Sequence, residues 1–267
     1  MSTKTPGYTP PLDHLLTLGC PGCPDGVEEP WRDEPFADYA HMGIGVKHVP
    51  ELRRMAFDRS LAGGNSPGSY GPVHAARALG TLHPAEMLPD LIELTRRLER
   101  DDDEGGLEDM PAIFARFGAS AIDPLARVAG DSRESFGTRL YLLTSIERIA
   151  TEHAQTRDRA VKVFADMLKY ATYGNPGINA HIISSLVELG AAEALPAIRA
   201  AFATGRVDEM CCGRLADIEQ EIVLSPEQRT AYHRAEIDRA EAELEGMSER
   251  EALHVIIERS RQRMRQS

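Results

Sequence analysis

Apolar residues recur at three- and four-residue steps along most of this chain, the spacing that gathers them on one face of a helix. Val73, Ala76, Leu79 and Leu82 make one stripe, and Leu88, Leu91, Leu94 and Leu98 make the next. Ile113, Phe114 and Phe117 lead on to Ile122 and Leu125. Further along, Ile182, Ile183, Leu186 and Leu189 lead to Leu195, Ile198 and Phe202. The pattern predicts helix pairs over 73–82 and 86–97, 107–117 and 121–129, 138–150 and 158–171, and 180–189 and 192–203. An earlier pair is expected to place its front helix at 37–43 and its second in HVPELRRMAF, 48–57.

These pairs repeat. HPAEMLPDL (83–91) returns as GAAEALPAI (190–198), with Ala85/Ala192, Glu86/Glu193, Leu88/Leu195 and Pro89/Pro196 in register. GASAIDPLA (118–126) puts Pro124 in the same slot, and Pro50 precedes Pro89 by 39 residues. From Pro89 to Pro124 is 35 residues, and from Pro124 to Pro196 is 72, which is two steps of 36 with the missing one at Ala160. Such a period means stacked helix pairs, because one pair cannot bury its own apolar face. Proline in a helix's first turn loses no internal hydrogen bond. Pro89, Pro124 and Pro196 are therefore read as marking where each second helix begins.

The repeats occupy residues 36–224. Residues 1–35, rich in Pro, Gly and acids, read as an extended lead-in with a short helix near 12–18 and Trp31 as a packing anchor. Residues 225–267 read as a terminal helical cap. Ser225-Pro226-Glu227 should open a helix reaching about Glu245, Gly246 should end it, and Ser248-Glu249-Arg250-Glu251 should open a last one.

Composition narrows the function. Acidic residues number 42 against 30 basic ones, a formal net charge of -12. A reader of nucleic acid needs the opposite balance, so DNA or RNA is disfavoured as a partner. No run of apolar residues is long enough to cross a membrane. The first residues lack the basic patch and apolar core of a secretory signal, so a cytoplasmic setting is expected.

RALGTLHPAEMLPDL, PAIFARFGASAIDPLARVAGD and SSLVELGAAEALPAIRAAF together resemble HEAT-type helical repeats. More narrowly, the order of segments is similar to a bacterial family of HEAT-like proteins that has no assigned activity. In that family an acidic inter-repeat loop precedes an LPxIFAxxG helix, and a GxVDE segment follows the last repeat. Here Asp101-Asp102-Asp103 precede Met110-Pro111-Ala112-Ile113-Phe114, and Gly205-Arg206-Val207-Asp208-Glu209 follow. The resemblance implies an all-α fold, an α-α superhelix (HEAT-like solenoid) of about five helical hairpins with a C-terminal helical cap. It carries over no catalytic residues.

The sharpest local signal is Cys20-Pro21-Gly22-Cys23. Two thiols at this spacing can hold one edge of a tetrahedral zinc site or form a redox pair. A zinc knuckle wants two more ligands nearby, whereas Cys211-Cys212 lie far along the chain. Two free thiols in a turn is the plainer reading, with Cys20 and Cys23 the candidate metal ligands, His14 or His41 able to join them only if the lead-in folds back, and no cofactor expected. Asp101, Asp102, Asp103 and Glu104 lack the alternation and glycine of a calcium loop. They read as a solvated inter-repeat loop and as the first place to look for a basic peptide. The glycine-rich LAGGNSPGSYGP (61–72) has no Gly-Lys-Ser/Thr and so no phosphate cradle. No nucleophile–base pair or metalloprotease motif is present.

The function expected is a binding or scaffold module that holds a protein or peptide on the concave face of its second helices. Helix phase places Asp90, Glu93, Arg97, Arg127, Lys162, Asp166 and Arg199 there. Two other classes remain open: a lyase-like enzyme acting on a chromophore or a protein side chain, and a DNA-groove binder.

Overall fold

The computed structural model describes residues 7–21, 36–61 and 66–244. Among them are twelve α-helices and no strand. These are α1 (Val49–Ala56), α2 (Gly71–Leu82), α3 (Leu88–Arg100), α4 (Glu104–Ala115), α5 (Ala119–Ala129) and α6 (Phe136–Glu152). The others are α7 (Arg157–Leu168), α8 (Pro176–Glu188), α9 (Leu195–Ala203), α10 (Glu209–Cys212), α11 (Leu215–Glu221) and α12 (Pro226–Leu244). The fold is all-α, as the periodicity predicts.

Even-numbered helices touch in succession: α2 meets α4, α4 meets α6, α6 meets α8, and α8 meets α10. Odd-numbered ones do so in part, through α3 with α5, α7 with α9, and α9 with α11. The longest of the packed helices, α6, lies at the centre, against α3, α4, α5, α7 and α8. Its Leu142, Leu143, Ile146 and Ile149 are wholly buried, which is where the aliphatic core gains most from leaving water.

Two local features set the spacing of α2 and α4. A Cβ placed on Gly80 would come within 3.3 Å of the Ile113 backbone, so any larger residue would press on α4 where glycine lets the helices approach closely. Nearby, Arg77 of α2 and Asp109 of α4 form a buried two-pronged ion pair. Further out, the units are tied by surface pairs between neighbouring helices: Arg53 with Asp90, Arg159 with Asp123, and Arg157 with Glu193.

Proline positions agree with the sequence reading at three helices and disagree at one. Pro50, Pro89 and Pro196 stand in the first turn of α1, α3 and α9. Pro124 does not begin its helix. Gly118, at φ +56, turns the chain so that α5 starts at Ala119 and holds Pro124 in its interior. The front helix expected at 37–43 is replaced by turns ending at Gly43, which has φ +82. A second glycine, Gly45, follows at once, and two glycines so close stop a helix from starting. The segment expected as helix to residue 171 ends instead with α7 at Leu168, followed by a 3-10 turn over Ala171–Tyr173.

The N-terminal segment supplies a 3-10 helix, Leu12–Thr17, where a short helix was expected, with Leu12 and Leu15 wholly buried. At the other end, Ser225 Oγ accepts from the Gln228 N–H at 3.3 Å and Gln228 Oε1 accepts from the Ser225 N–H at 2.8 Å. This reciprocal cap opens α12 where the sequence places it. Trp31, Gly246 and the expected last helix lie outside the described residues.

Candidate functional site

Recesses lie between the described helices, and two of them hold residues that helix phase brought forward. One is a groove of about 530 Å³ formed where α5 and α7 end and α6 and α8 begin. Arg127, Gly130, Arg139, Asp166 and Met167 line it, together with Tyr170, Tyr173 and the first turns of α8. Tyr170 is 71% exposed and Tyr173 is 87% exposed, the two most exposed large apolar residues among those described. Both stand in the short KYATYG connection, where helical packing cannot cover them. Phe136, half exposed, leans on Gly177 at the start of α8 nearby.

The charge of this groove runs opposite to that of the chain. Asp166 is its one carboxylate, and Lys162 and Lys169 both bind it at 2.6 Å. Those two ammonium groups hold the Asp166 carboxyl down, to about 2. Arg139 donates to the Ala129 carbonyl at 2.7 Å, and its partial burial lowers its pKa. Arg127 is exposed and makes no ion pair among the described residues. Two arginines, Arg127 and Arg139, thus line the groove against one carboxylate, beside two uncovered phenol rings.

The second recess is a partly open cavity of about 100 Å³ where α1 and α3 end and α2 and α4 begin, the equivalent position two units earlier. Arg97 and Asp103 reach it among aliphatic side chains. The position between these two recesses is closed: Glu99 accepts from Ser135 Oγ and, at 2.9 Å, from Thr138 Oγ1. Arg96 closes it further with two bonds to Glu134.

The remaining expected site residues serve in surface ties. Asp90 pairs with Arg53, Glu93 with Arg96 and Arg100, and Arg199 with Glu219. The acidic run is spent on helix ends. Arg59 Nη2 donates to both oxygens of Asp101, and exposed Asp102 adopts the left-handed backbone (φ +56) that reverses the chain. Asp103 caps α4 by accepting from the Gly106 N–H at 2.9 Å.

A third recess, also about 530 Å³, is lined by Cys211, Cys212, Arg229 and the His233–Glu221 pair, whose atoms lie 3.2 Å apart. Both cysteines are free. Burial pushes the Cys212 thiol up to about 12, and burial with Asp208 raises that of Cys211, so neither is an activated nucleophile. Cys20 is disulfide-bonded, a state with no thiolate to offer zinc until reduced, and Cys23 lies outside the described residues. Among the described residues no three His, Cys, Asp or Glu side chains converge as metal ligands. No described helix is long and apolar enough to cross a membrane.

No family model, no curated protein and no solved structure matches this chain.

The sequence reading missed Tyr170 and Tyr173. Their signal is two aromatics within four residues, followed by Gly174-Asn175-Pro176, a connection that ends one helix and caps the next.

Proposed function

We propose that this chain is a non-catalytic binding module that holds an acidic segment of a protein partner in the groove between α5–α6 and α7–α8. We infer for its frame a HEAT-like solenoid of about five hairpins, which the succession of contacts among the even-numbered helices supports. The observation that carries the binding reading is the pair of exposed tyrosines beside Arg127, which has no ion pair among the described residues, in a cationic groove of an otherwise acidic chain. Exposed aromatics and arginine concentrate binding energy at interfaces, and the sign of the groove selects an anionic partner.

Aromatics among cations also suit single-stranded nucleic acid, so the test includes it. A random peptide library would be selected on the wild-type chain and counter-selected on Arg127→Glu/Tyr170→Ala/Tyr173→Ala. Enrichment of acidic peptides that bind only the wild type is the expected result. Enrichment of basic peptides, or none specific to the wild type, overturns the proposal. Tight, salt-sensitive retention of a labelled single-stranded oligonucleotide with no peptide selected would replace the partner class.

A further inference from the structure

The cavity between α1–α2 and α3–α4 contains a donor with nothing to bond. Arg97 Nε is one of two buried side-chain nitrogen or oxygen atoms among the described residues that lack a hydrogen-bond partner. The Arg97 side chain is only 11% exposed, so water does little to relieve it. Its Nη2 makes a long bond, 3.3 Å, to the Ala56 carbonyl. Asp101 Oδ2 stands 3.7 Å from Nε, too far for a hydrogen bond, and both oxygens of that carboxylate are engaged by Arg59. The Phe57 ring, 5.2 Å from the guanidinium carbon, faces the cation but gives Nε no acceptor, and a buried donor left without one is costly.

The other polar groups at the cavity are satisfied. Asp109 takes two bonds from Arg77, and Asp103 Oδ1 accepts from the Gly106 N–H. Ser69 Oγ donates to the Ser66 carbonyl at 2.6 Å, and the walls are otherwise mostly aliphatic, with Val73, Ala76, Leu94, Met110 and Ile113 among them. Water settles where two to four polar partners converge, and these walls offer it few. An occupant that fits needs one anionic acceptor and an apolar tail. It must also be small, since an apolar cavity of about 150 Å³ is filled by benzene and this one measures about 100 Å³.

We propose that this cavity is a binding site for a short-chain aliphatic carboxylate, with a carboxylate oxygen accepting from Arg97 Nε and the alkyl tail lying among Val73, Ala76, Leu94, Met110 and Ile113. The site is separate from the groove at Arg127 and stands whether or not that groove binds a peptide.

Calorimetric titration of the full chain with acetate, propionate, butyrate, valerate and hexanoate, at fixed ionic strength, tests it. Affinity should rise about fourfold with each methylene, the worth of about 0.8 kcal/mol of burial, and then fall once the tail outgrows the cavity. Arg97→Met should abolish binding. Ala76→Leu, which fills the cavity and keeps the guanidinium, should abolish it too. Circular dichroism and melting of each variant establish that it folds. No saturable binding at tens of millimolar, affinity indifferent to chain length, or Arg97→Met binding as the wild type does would each overturn the proposal.

Discussion

Arg77 Nε and Nη2 meet Asp109 Oδ2 and Oδ1 at 2.5 and 2.6 Å, with both side chains more than nine-tenths buried between α2 and α4. Fork-to-fork geometry makes this the strongest form of ion pair available to the two groups. The pair is flanked by the Phe36 ring, 4.8 Å from the guanidinium carbon. Cutting one partner strands the other in the core. Asp109→Ala should therefore lower unfolding stability by about 3–5 kcal/mol, read from the urea midpoint. The double change Arg77→Met/Asp109→Leu should recover most of that loss, because no charge is left behind. If the double variant were no better than Asp109→Ala, the stranded charge would not be the cause.

Glu147 of α6 accepts from Ser185 Oγ of α8 at 2.6 Å, yet burial raises its carboxyl above the ordinary range, with the Glu188 charge adding to the rise. The folded chain thus keeps a proton that the unfolded chain has released. Stability falls as pH climbs from the ordinary glutamate value to the raised one, and this group adds no further change above it. Glu147→Gln keeps an acceptor for Ser185 and removes the buried charge. It should melt higher than wild type near neutral pH, with the gain gone below about pH 4. An equal gain at both pH values would assign the effect to packing.

Gly80 faces the Ile113 backbone across the α2–α4 contact. Alanine is the better helix former by about 1 kcal/mol, but its methyl has no flexible side-chain end to displace there. Overpacking of this kind costs about 1–3 kcal/mol, so Gly80→Ala should destabilise. An increase in the urea midpoint would show that α4 can shift.

Cys211 and Cys212 are free thiols whose pKa values are both raised, that of Cys212 to about 12. Thiolate therefore forms only at high pH. Iodoacetamide should label both slowly at neutral pH, with Cys211 ahead because it is exposed and Cys212 half-buried. Mass spectrometry of timed digests reads this directly. Fast labelling of Cys212 at neutral pH would contradict the burial of its sulfur.

Helix positions were legible because burial imposes the period: Leu88, Leu91, Leu94 and Leu98 all lie in the core as the spacing demands. α2 departs from a one-sided stripe. His74, Ala75, Arg77 and Ala78 are buried too, since α1, α4 and the N-terminal segment enclose it. Pro124 misled because a proline's slot in a repeat does not say how many residues precede it in its own helix, and Gly118 decided that. Phase found Arg127 and Asp166, which share the groove. It could not tell them from Asp90 or Arg199, whose ion-pair partners lie on other helices. Tyr170 and Tyr173 belong to a connection, where no period holds and exposure follows from three-dimensional packing alone.

The ties between neighbouring helices carry a consequence for synthesis. None of the side-chain bonds described above joins residues more than 42 positions apart, the reach of Arg59 to Asp101. Contacts this local make for rapid ordering. As the chain leaves the ribosome, most helices need only the next few dozen residues to complete their partners, although the 3-10 helix Leu12–Thr17 waits longer, for α2, so the N-terminal units can consolidate while the C-terminal ones are still being made.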